Sequence, residues 1–413
     1  MKIEPRTLKG FRDFLPKEAR KRQYVIDTLR KVFESYGFEP LETPTLEYEE
    51  ILSGKYGEEG DKLMYKFEDK GGRKVALRYD QTVPLARVVA QYPNELPLPF
   101  KRYQISNVWR GDNTQRGRFR EFTQCDVDTV GVKSALSDAE IIEVAAVSLQ
   151  ALGFNNFKIW INDRNILFGL KLRVPVAQEK VVKVMIALDK LKKIGKDAVI
   201  KEIETIGFSN EEASYLYEQA EFAQETPWLK QVIDNFKKFG FKDEMIEFSP
   251  ILARGLNYYT STIFEIEIEG YDAGSVCGGG RYDDLIGMFA GKQIPAVGFA
   301  FGFDRVIEAM ETQGLFPKDL QTTKVLVTIF SPELLGKSIG ACEVLESANI
   351  SQELYVDENV KMEKQLKYAD QKGIPYVVII GPKEAKGGSA TIKKLGTGEQ
   401  KTVELTNLPN EIK

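Results

Sequence analysis

Between Trp109 and Phe122 the chain places four arginines, Arg110, Arg116, Arg118 and Arg120, in a turn-rich stretch that also holds Asp112 and Gln115. A guanidinium is permanently charged and can bind two oxygens at once, so such a loop suits phosphate. An Arg-rich loop can equally be a solvated hairpin tip. The residues C-terminal to it favour a pocket. Phe122 ends the loop, and Gln124, Asp126 and Asp128 come next at every second position. Alternate residues of a strand share one face, so an amide and two carboxylates would stand beside the basic loop.

A second segment, Ala253-Arg254-Gly255-Leu256-Asn257-Tyr258-Tyr259-Thr260, sets an arginine between Ile251-Leu252 and a stretch rich in Ile and Phe. A half-buried arginine needs an anionic partner. Either a structural ion pair or a bound anion would serve. A third segment has Gly278-Gly279-Gly280-Arg281-Tyr282-Asp283, read as a Gly-rich turn. It is followed by Gly298-Phe299-Ala300-Phe301-Gly302-Phe303-Asp304-Arg305, whose small residues let elements pack closely and present Arg305 at an edge.

These residues need elements to hold them. The spacing of Val25, Leu29, Val32, Phe33 and Tyr36 predicts an amphipathic helix from Pro16 to Tyr36, stopped by Gly37. An extended stretch continues to Pro44. Residues 65–81 read as a hairpin about Gly71-Gly72, and 100–131 as two strands around the Arg-rich loop. From 165 to 245 helical periodicity takes over with clustered lysines and no chemistry-bearing pattern. Strand-like segments return at 251–269, with a helix near 282–290. From Lys324 strand and helix alternate, which predicts a small α/β domain with a largely parallel sheet and a closing hairpin.

Composition bounds the rest. The 413 residues carry 57 Lys+Arg and 61 Asp+Glu, a net charge of −4, so contact with nucleic acid must use local patches. Cys125, Cys277 and Cys342 are far apart and form no metal-binding pair, and no protein-held metal is expected. The start has no apolar signal-peptide core, and no run is long enough to span a bilayer. A cytoplasmic, membrane-free protein is expected.

Together the three segments resemble the histidyl-tRNA synthetases, class II aminoacyl-tRNA synthetases, over nearly the whole chain. The run to Pro44 looks like class II motif 1, Arg110–Phe122 like motif 2 and Gly298–Arg305 like motif 3. Arg254-Gly255-Leu256-Asn257-Tyr258-Tyr259 is similar to the family's own signature, with Asn257 where many relatives have Asp. Asp80 and Asp128 stand where many bacterial members have Glu. The resemblance implies ATP-dependent ligation of L-histidine to tRNA(His) through a histidyl-adenylate. ATP would enter with Mg²⁺, and the chain would act as a homodimer.

The implied fold is an α+β catalytic domain on an antiparallel sheet (1–165 and 246–320). A helical insertion (166–245) would clamp the tRNA, and a C-terminal α/β anticodon-binding domain (324–413) would complete the chain. That last stretch has 12 Lys+Arg and 12 Asp+Glu, so reading there would rest on stacking and base-edge contacts. The resemblance also implies roles. Asp80, with Gln81 and Thr82, would bind the amino acid's α-amino group. Gln124, Asp128, Tyr258 and Tyr259 would surround its ring. Arg110 and Arg254 would hold the carboxylate and α-phosphate. Phe122 would stack on adenine, with Asp112 nearby and Arg305 on the outer phosphates. Gln115 and Arg116 would meet tRNA. A regulatory paralogue that activates ATP phosphoribosyltransferase is the other reading. Such chains lack the anticodon domain and lose the catalytic arginines, both of which are present here.

The chain contains no histidine at all. If that composition is tied to the product, translation of its message should not stall when histidine is scarce. Ribosome profiling under histidine starvation should show normal ribosome progress on this message while histidine-containing messages stall. Stalling in step with them would remove the proposed advantage.

Overall fold

The computed structural model describes residues 3–169, 178–188, 190–254 and 258–412. It divides into two compact units, Met1–Phe316 and Pro317–Lys413. Gly255, Leu256 and Asn257, the middle of the signature segment, lie outside the described residues, as does part of the 166–245 stretch.

In the first unit, helix α1 (Pro16–Ser35) begins with proline at a first-turn position and buries Val25, Leu29, Val32 and Phe33. Gly37 then takes a positive φ of 76° and turns the chain out of the helix. The strands are β1 (Glu39–Pro40), β2 (Leu46–Tyr48), β3 (Lys66–Glu68), β4 (Lys74–Leu77), β5 (Phe100–Trp109), β6 (Glu121–Val130), β7 (Phe157–Asp163), β8 (Ile246–Phe248), β9 (Thr262–Ile268), β10 (Cys277–Arg281) and β11 (Ala296–Gly302). Eight of them form one sheet in the order β1-β5-β6-β11-β10-β9-β7-β8. Its six central strands are antiparallel, with β1 and β8 added parallel at the edges. The hairpin β3–β4 pairs with β2 in a separate three-stranded sheet.

Helix α2 (Thr82–Gln91) and helix α3 (Ala135–Ala151) flank this sheet, followed by α4 (Pro227–Lys238) and α5 (Phe303–Gln313). The side chains of Ser134 and Thr226 cap the N-termini of α3 and α4. The helical face of the sheet holds the main core, where Leu29 and Phe33 of α1, Ile142 and Leu149 of α3 and Phe236 of α4 meet Val127, Phe264, Phe299 and Phe301. The helices Gln178–Leu188, Lys196–Thr205 and Asn210–Glu221 close a smaller core of their own around Leu188, Ile203 and Leu216. A buried ion-pair network ties β10 to α3. Arg281 pairs with Asp138 and Asp283, and Asp138 also accepts from Thr262 and from the Trp228 indole at 3.1 Å.

The second unit carries β12 (Val325–Val327), α6 (Leu335–Ser347), β13 (Gln352–Leu354), α7 (Met362–Lys372), β14 (Tyr376–Ile379), α8 (Pro382–Gly387), β15 (Ser389–Lys394) and β16 (Gln400–Glu404), with sheet order β13-β12-β14-β15-β16.

Several sequence expectations need correction. The glycine triplet is no turn: Gly278, Gly279 and Gly280 are the interior of β10, a central strand. A β-carbon at Gly279 would lie 2.3 Å from the Gly298 carbonyl oxygen and 2.7 Å from the Phe299 β-carbon, so only glycine lets β10 and β11 approach this closely. Among the described residues of 251–269 only Thr262–Ile268 forms a strand, and Arg254 sits at φ 53°, outside extended geometry. Of the helix near 282–290 only Gly287–Ala290 is helical. The C-terminal sheet is mixed, with two parallel and two antiparallel pairings. Residues 380–388 between β14 and β15 are too few for the roughly dozen-residue crossover a parallel pairing needs.

Gly279→Ala should therefore destabilise the protein by about 1–3 kcal/mol or more, since a main-chain oxygen faces the new methyl. Denaturant unfolding measures it, and an unchanged midpoint would mean the strands can separate without penalty.

Candidate functional site

The face of the sheet opposite the main core is a trough whose floor is glycine and alanine. Gly278 and Gly280 of β10 pair with Ala300 and Gly298 of β11. Along one wall run Gln124, Asp126 and Asp128, which pair across β11 with Gly302, Ala300 and Gly298. On their other side they pair with Ser106, Gln104 and Arg102 of β5. The glycines make room for the neighbours. A β-carbon at Gly298 would fall 1.9 Å from Asp128 Oδ1, one at Gly278 only 1.5 Å from Arg254 Nη1, and one at Gly280 within 2.9 Å of the Tyr259 ring.

The acidic end is well buried. Asp80 Oδ1 accepts from the Tyr56 hydroxyl at 2.8 Å and from the Val83 amide at 3.1 Å, at the start of α2. Gln81 donates from Nε2 to the Ser106 and Gln124 carbonyls at 2.9 and 3.2 Å. Tyr258 packs 4.9 Å from Tyr259 and lies 5.9 Å from Tyr282. Asp128 is held from both sides. The Tyr282 hydroxyl donates to one oxygen, and the fully buried Arg102 stands 2.7 Å from the other. Five buried side-chain oxygens here, Asp80 Oδ2, Gln81 Oε1, Gln124 Oε1, Asp126 Oδ1 and Asp128 Oδ2, accept no hydrogen bond among the described residues, although the last is in ion-pair contact with Arg102. Burial pushes the Asp126 carboxyl well above the usual carboxylate range, against the pull of Arg102, and burial also raises Asp80 and Asp128.

The other end is cationic. Arg110 donates from Nε to the Tyr79 carbonyl at 3.0 Å and lies 4.4 Å over the Tyr79 ring and 5.2 Å from that of Phe122. Arg254 lies along Gly278 and donates to the Phe264 carbonyl and to Glu265, both at 3.2 Å. The structural ion-pair reading of Arg254 is thus realised, with Glu265. Arg305 donates to the Ser275 carbonyl at 2.7 Å. Its neighbour Asp304 takes Arg12 at 2.8 Å and Arg22 at 2.6 Å, which fastens the N-terminal segment and α1 to the start of α5.

Asp112 accepts Arg120 Nε at 3.2 Å through its main-chain oxygen, and Gln115 bridges to Arg118. Arg116 is exposed yet pairs with Glu308 at 2.6 Å. Asp80, Gln81, Thr82, Gln124, Asp128, Tyr258 and Tyr259 thus gather about one end of the trough, and Arg116 stands apart on the surface. Arg102 and Tyr56 escaped the sequence reading, and Tyr282 was read there only as part of the Gly-rich segment. A signal for Arg102 existed, because Arg102, Gln104 and Ser106 alternate on β5 with the apolar Tyr103 and Ile105 between them.

An antiparallel sheet with glycine-lined central strands, a basic motif-2 hairpin and a C-terminal α/β unit defines a class II aminoacyl-tRNA synthetase. Comparison narrows the class. The sequence profile of histidyl-tRNA synthetase matches residues 10–306, and that of an anticodon binding domain matches 324–413. A histidine–tRNA ligase of Cytophaga hutchinsonii is 40% identical over 96% of this chain and 97% of its own length, and one of Wolinella succinogenes is 42% identical over 97% and 96%. A crystal structure of histidyl-tRNA synthetase from Nostoc sp. PCC 7120 superposes with a TM-score of 0.84 at 32% identity, covering 99% of both chains. The chain belongs to the histidyl-tRNA synthetase family.

The raised Asp126 carboxyl makes a stability prediction. Its folded pKa lies above the unfolded value of about 3.9, so its contribution is fullest below that value and is lost as pH rises through the folded pKa. Asp126→Asn removes that loss. The unliganded variant should be more stable than the parent by about 1–3 kcal/mol near neutral pH, with a gap that narrows toward pH ~4. Melting curves across pH decide it; a variant less stable at every pH would show that the charge is satisfied.

Proposed function

We propose that this trough performs the family's reaction, ATP-dependent ligation of L-histidine to tRNA(His), with the side chains described. One observation carries the assignment: unsatisfied buried acceptors at one end and arginines at the other. Histidine matches the first end, since it brings an ammonium and a ring N–H but no buried anion. Asp80, Gln81 and Thr82 take the ammonium. Gln124, Asp128, Tyr258 and Tyr259 surround the ring. A site that hydrogen-bonds the substrate's own polar groups rejects analogues lacking them by roughly 10⁴–10⁵, so selectivity needs no editing step.

At the other end the histidine carboxylate attacks the α-phosphorus of ATP, and pyrophosphate leaves. Both reactants are anions, so the work is neutralisation and in-line positioning. Arg110 and Arg254 bracket the carboxylate and α-phosphate, Phe122 stacks on adenine beside Asp112, and Arg305 takes the outer phosphates, with ATP entering as its Mg²⁺ complex. The chain has no histidine to act as a general base. Transfer to the tRNA ribose is therefore assigned to a non-bridging phosphate oxygen of the adenylate as proton acceptor.

The remaining parts take their roles from the same reading. Gln115 and Arg116 at the hairpin tip meet the tRNA. The catalytic domain comprises 1–165 and 246–320, and the helical insertion 166–245 clamps the acceptor stem. The unit 324–413 reads the anticodon. The α1 segment ending at Pro44 forms the twofold interface of a homodimer. No helix among the described residues is long and apolar enough to cross a membrane, in keeping with cytoplasmic work on tRNA.

Pyrophosphate exchange into ATP should require histidine among the twenty amino acids. Arg254→Ala should slow it about 10²–10³-fold, the typical worth of one preorganised donor, with folding retained. Gly278→Ala, which pushes a methyl against Arg254, should reproduce most of that loss. Exchange supported equally by another amino acid would overturn the assignment, and a folded Arg254→Ala of normal rate would overturn its catalytic role.

A further inference from the structure

The ligation chemistry makes no use of the segment from Gly10 to Phe14, yet that segment is tied to two separate parts of the cationic end. The Gly10 carbonyl accepts the amides of Arg120 and Glu121 at 2.9 and 3.4 Å. Both belong to the returning limb of the Arg-rich loop, and the Arg120 carbonyl in turn accepts the Arg110 amide at 2.9 Å. Gly10 takes a φ of 87°, and a β-carbon there would fall 2.7 Å from Arg120 Cγ, so the segment lies directly on the loop. Two residues on, the Arg12 guanidinium stacks 3.2 Å from the centre of the Phe119 ring and donates from Nη2 to Asp304 at 2.8 Å. Asp304 lies in the first turn of α5, next to Arg305.

Arg12 thus bridges the loop that carries Arg110 and Phe122 to the helix start that carries Arg305. A planar guanidinium can stack on a ring and pair with a carboxylate at once, which an ammonium cannot do equally well. Arg22 of α1 backs the same bridge. It donates to the other Asp304 oxygen at 2.6 Å and to Thr123 of β6 at 2.7 Å, and it lies 3.9 Å from the Phe14 ring. At the loop tip the Arg116–Glu308 pair is a second tie between the same elements, but the Arg116 side chain is 72% exposed and that of Arg12 only 29%. An exposed ion pair holds little, so the fixed connection is the one through Arg12.

We propose that Arg12 is a positioning residue for ATP, which by joining Phe119 to Asp304 sets the separation between the two elements that grip the nucleotide. This rests on the histidine-ligase reading and adds to it a residue outside all three chemistry-bearing segments. Arg12 acts through Phe119 and Asp304. The acidic end of the trough is held by contacts of its own, Tyr56 on Asp80 and Arg102 on Asp128. Loosening Arg12 therefore disturbs ATP and spares histidine, a split that a merely structural role would not produce.

The experiment uses full-length parent, Arg12→Ala and Arg12→Lys, read by pyrophosphate exchange with each substrate varied in turn and by unliganded melting. Arg12→Ala should raise KM for ATP about 10-fold and leave KM for histidine within about twofold of the parent. Arg12→Lys, which can reach Asp304 but cannot stack flat on Phe119, should fall between. In an Arg305→Ala background the same Arg12→Ala change should raise KM for ATP by much less, because the group it positions is gone. An unchanged KM for ATP in a folded Arg12→Ala overturns the proposal. So does an equal rise in both KM values with a lowered melting temperature, which marks a structural role, and so does full additivity with Arg305→Ala. Should Arg12→Ala fail to fold, Phe119→Leu removes the ring while leaving Asp304 paired. The same rise in KM for ATP is expected of it, and an unchanged value overturns the proposal. A parent without histidine-dependent exchange would overturn the ligase reading itself, whereas a parent that exchanges normally beside unaffected variants overturns only the role of Arg12.

Discussion

Two adjacent strands that carry nothing larger than the Ala300 methyl across one face are the constraint on which the site depends. Gly278, Gly280 and Gly298 stand where a β-carbon would meet Arg254, Tyr259 and Asp128 at or below 2.9 Å. Glycine weakens a strand, because it loses more freedom on folding and packs nothing. Here the sheet accepts that cost to gain depth. A guanidinium can lie flat against the β10 backbone and a carboxylate can lean over β11. The helical face of the same strands is filled by Val127, Phe264, Phe299 and Phe301, so packing on one side supplies the rigidity that glycine forfeits on the other.

Rigidity matters because the site works by charge. Buried groups interact through a low effective dielectric, where a misplaced charge is expensive and a well-placed one is strong. The protein meets part of this with paired charges. Asp138 is closed by Arg281, Thr262 and Trp228, and Asp128 by Arg102 and Tyr282. Breaking such a pair typically costs about 3–5 kcal/mol, because it strands the remaining charge. Against that habit the open oxygens of Asp80, Gln81, Gln124 and Asp126 stand out. On the proposed function the substrate would supply the missing donors, a common trade of stability for recognition.

The basic end is arranged differently. Arg110, Arg254 and Arg305 each already donate to a main-chain carbonyl, which holds each guanidinium in place. Preorganised donors need little rearrangement when charge develops in the reaction. The hairpin tip with Gln115 and Arg116 is exposed and suited to a partner as large as RNA.

Much of this was legible in the residue order. The period-two run Gln124, Asp126, Asp128 declares a polar strand face, the arginines of 110–120 declare an anion site, and the signature around Arg254 declares the family. Helix α1 and the β3–β4 hairpin were readable too, because amphipathic spacing and a Gly-Gly turn are local signals. The glycine triplet was misread because a turn and a close approach of strands use the same residue for different reasons, and only the neighbouring strand distinguishes them. Sequence alone determined which side chains could face the substrate. Tertiary structure decided which of them remain open to it. That depends on the register Arg102↔Asp128 and Gln104↔Asp126 and on Tyr282 arriving from far along the chain, and hydrogen-bond partners set by non-local pairing leave no mark in local spacing.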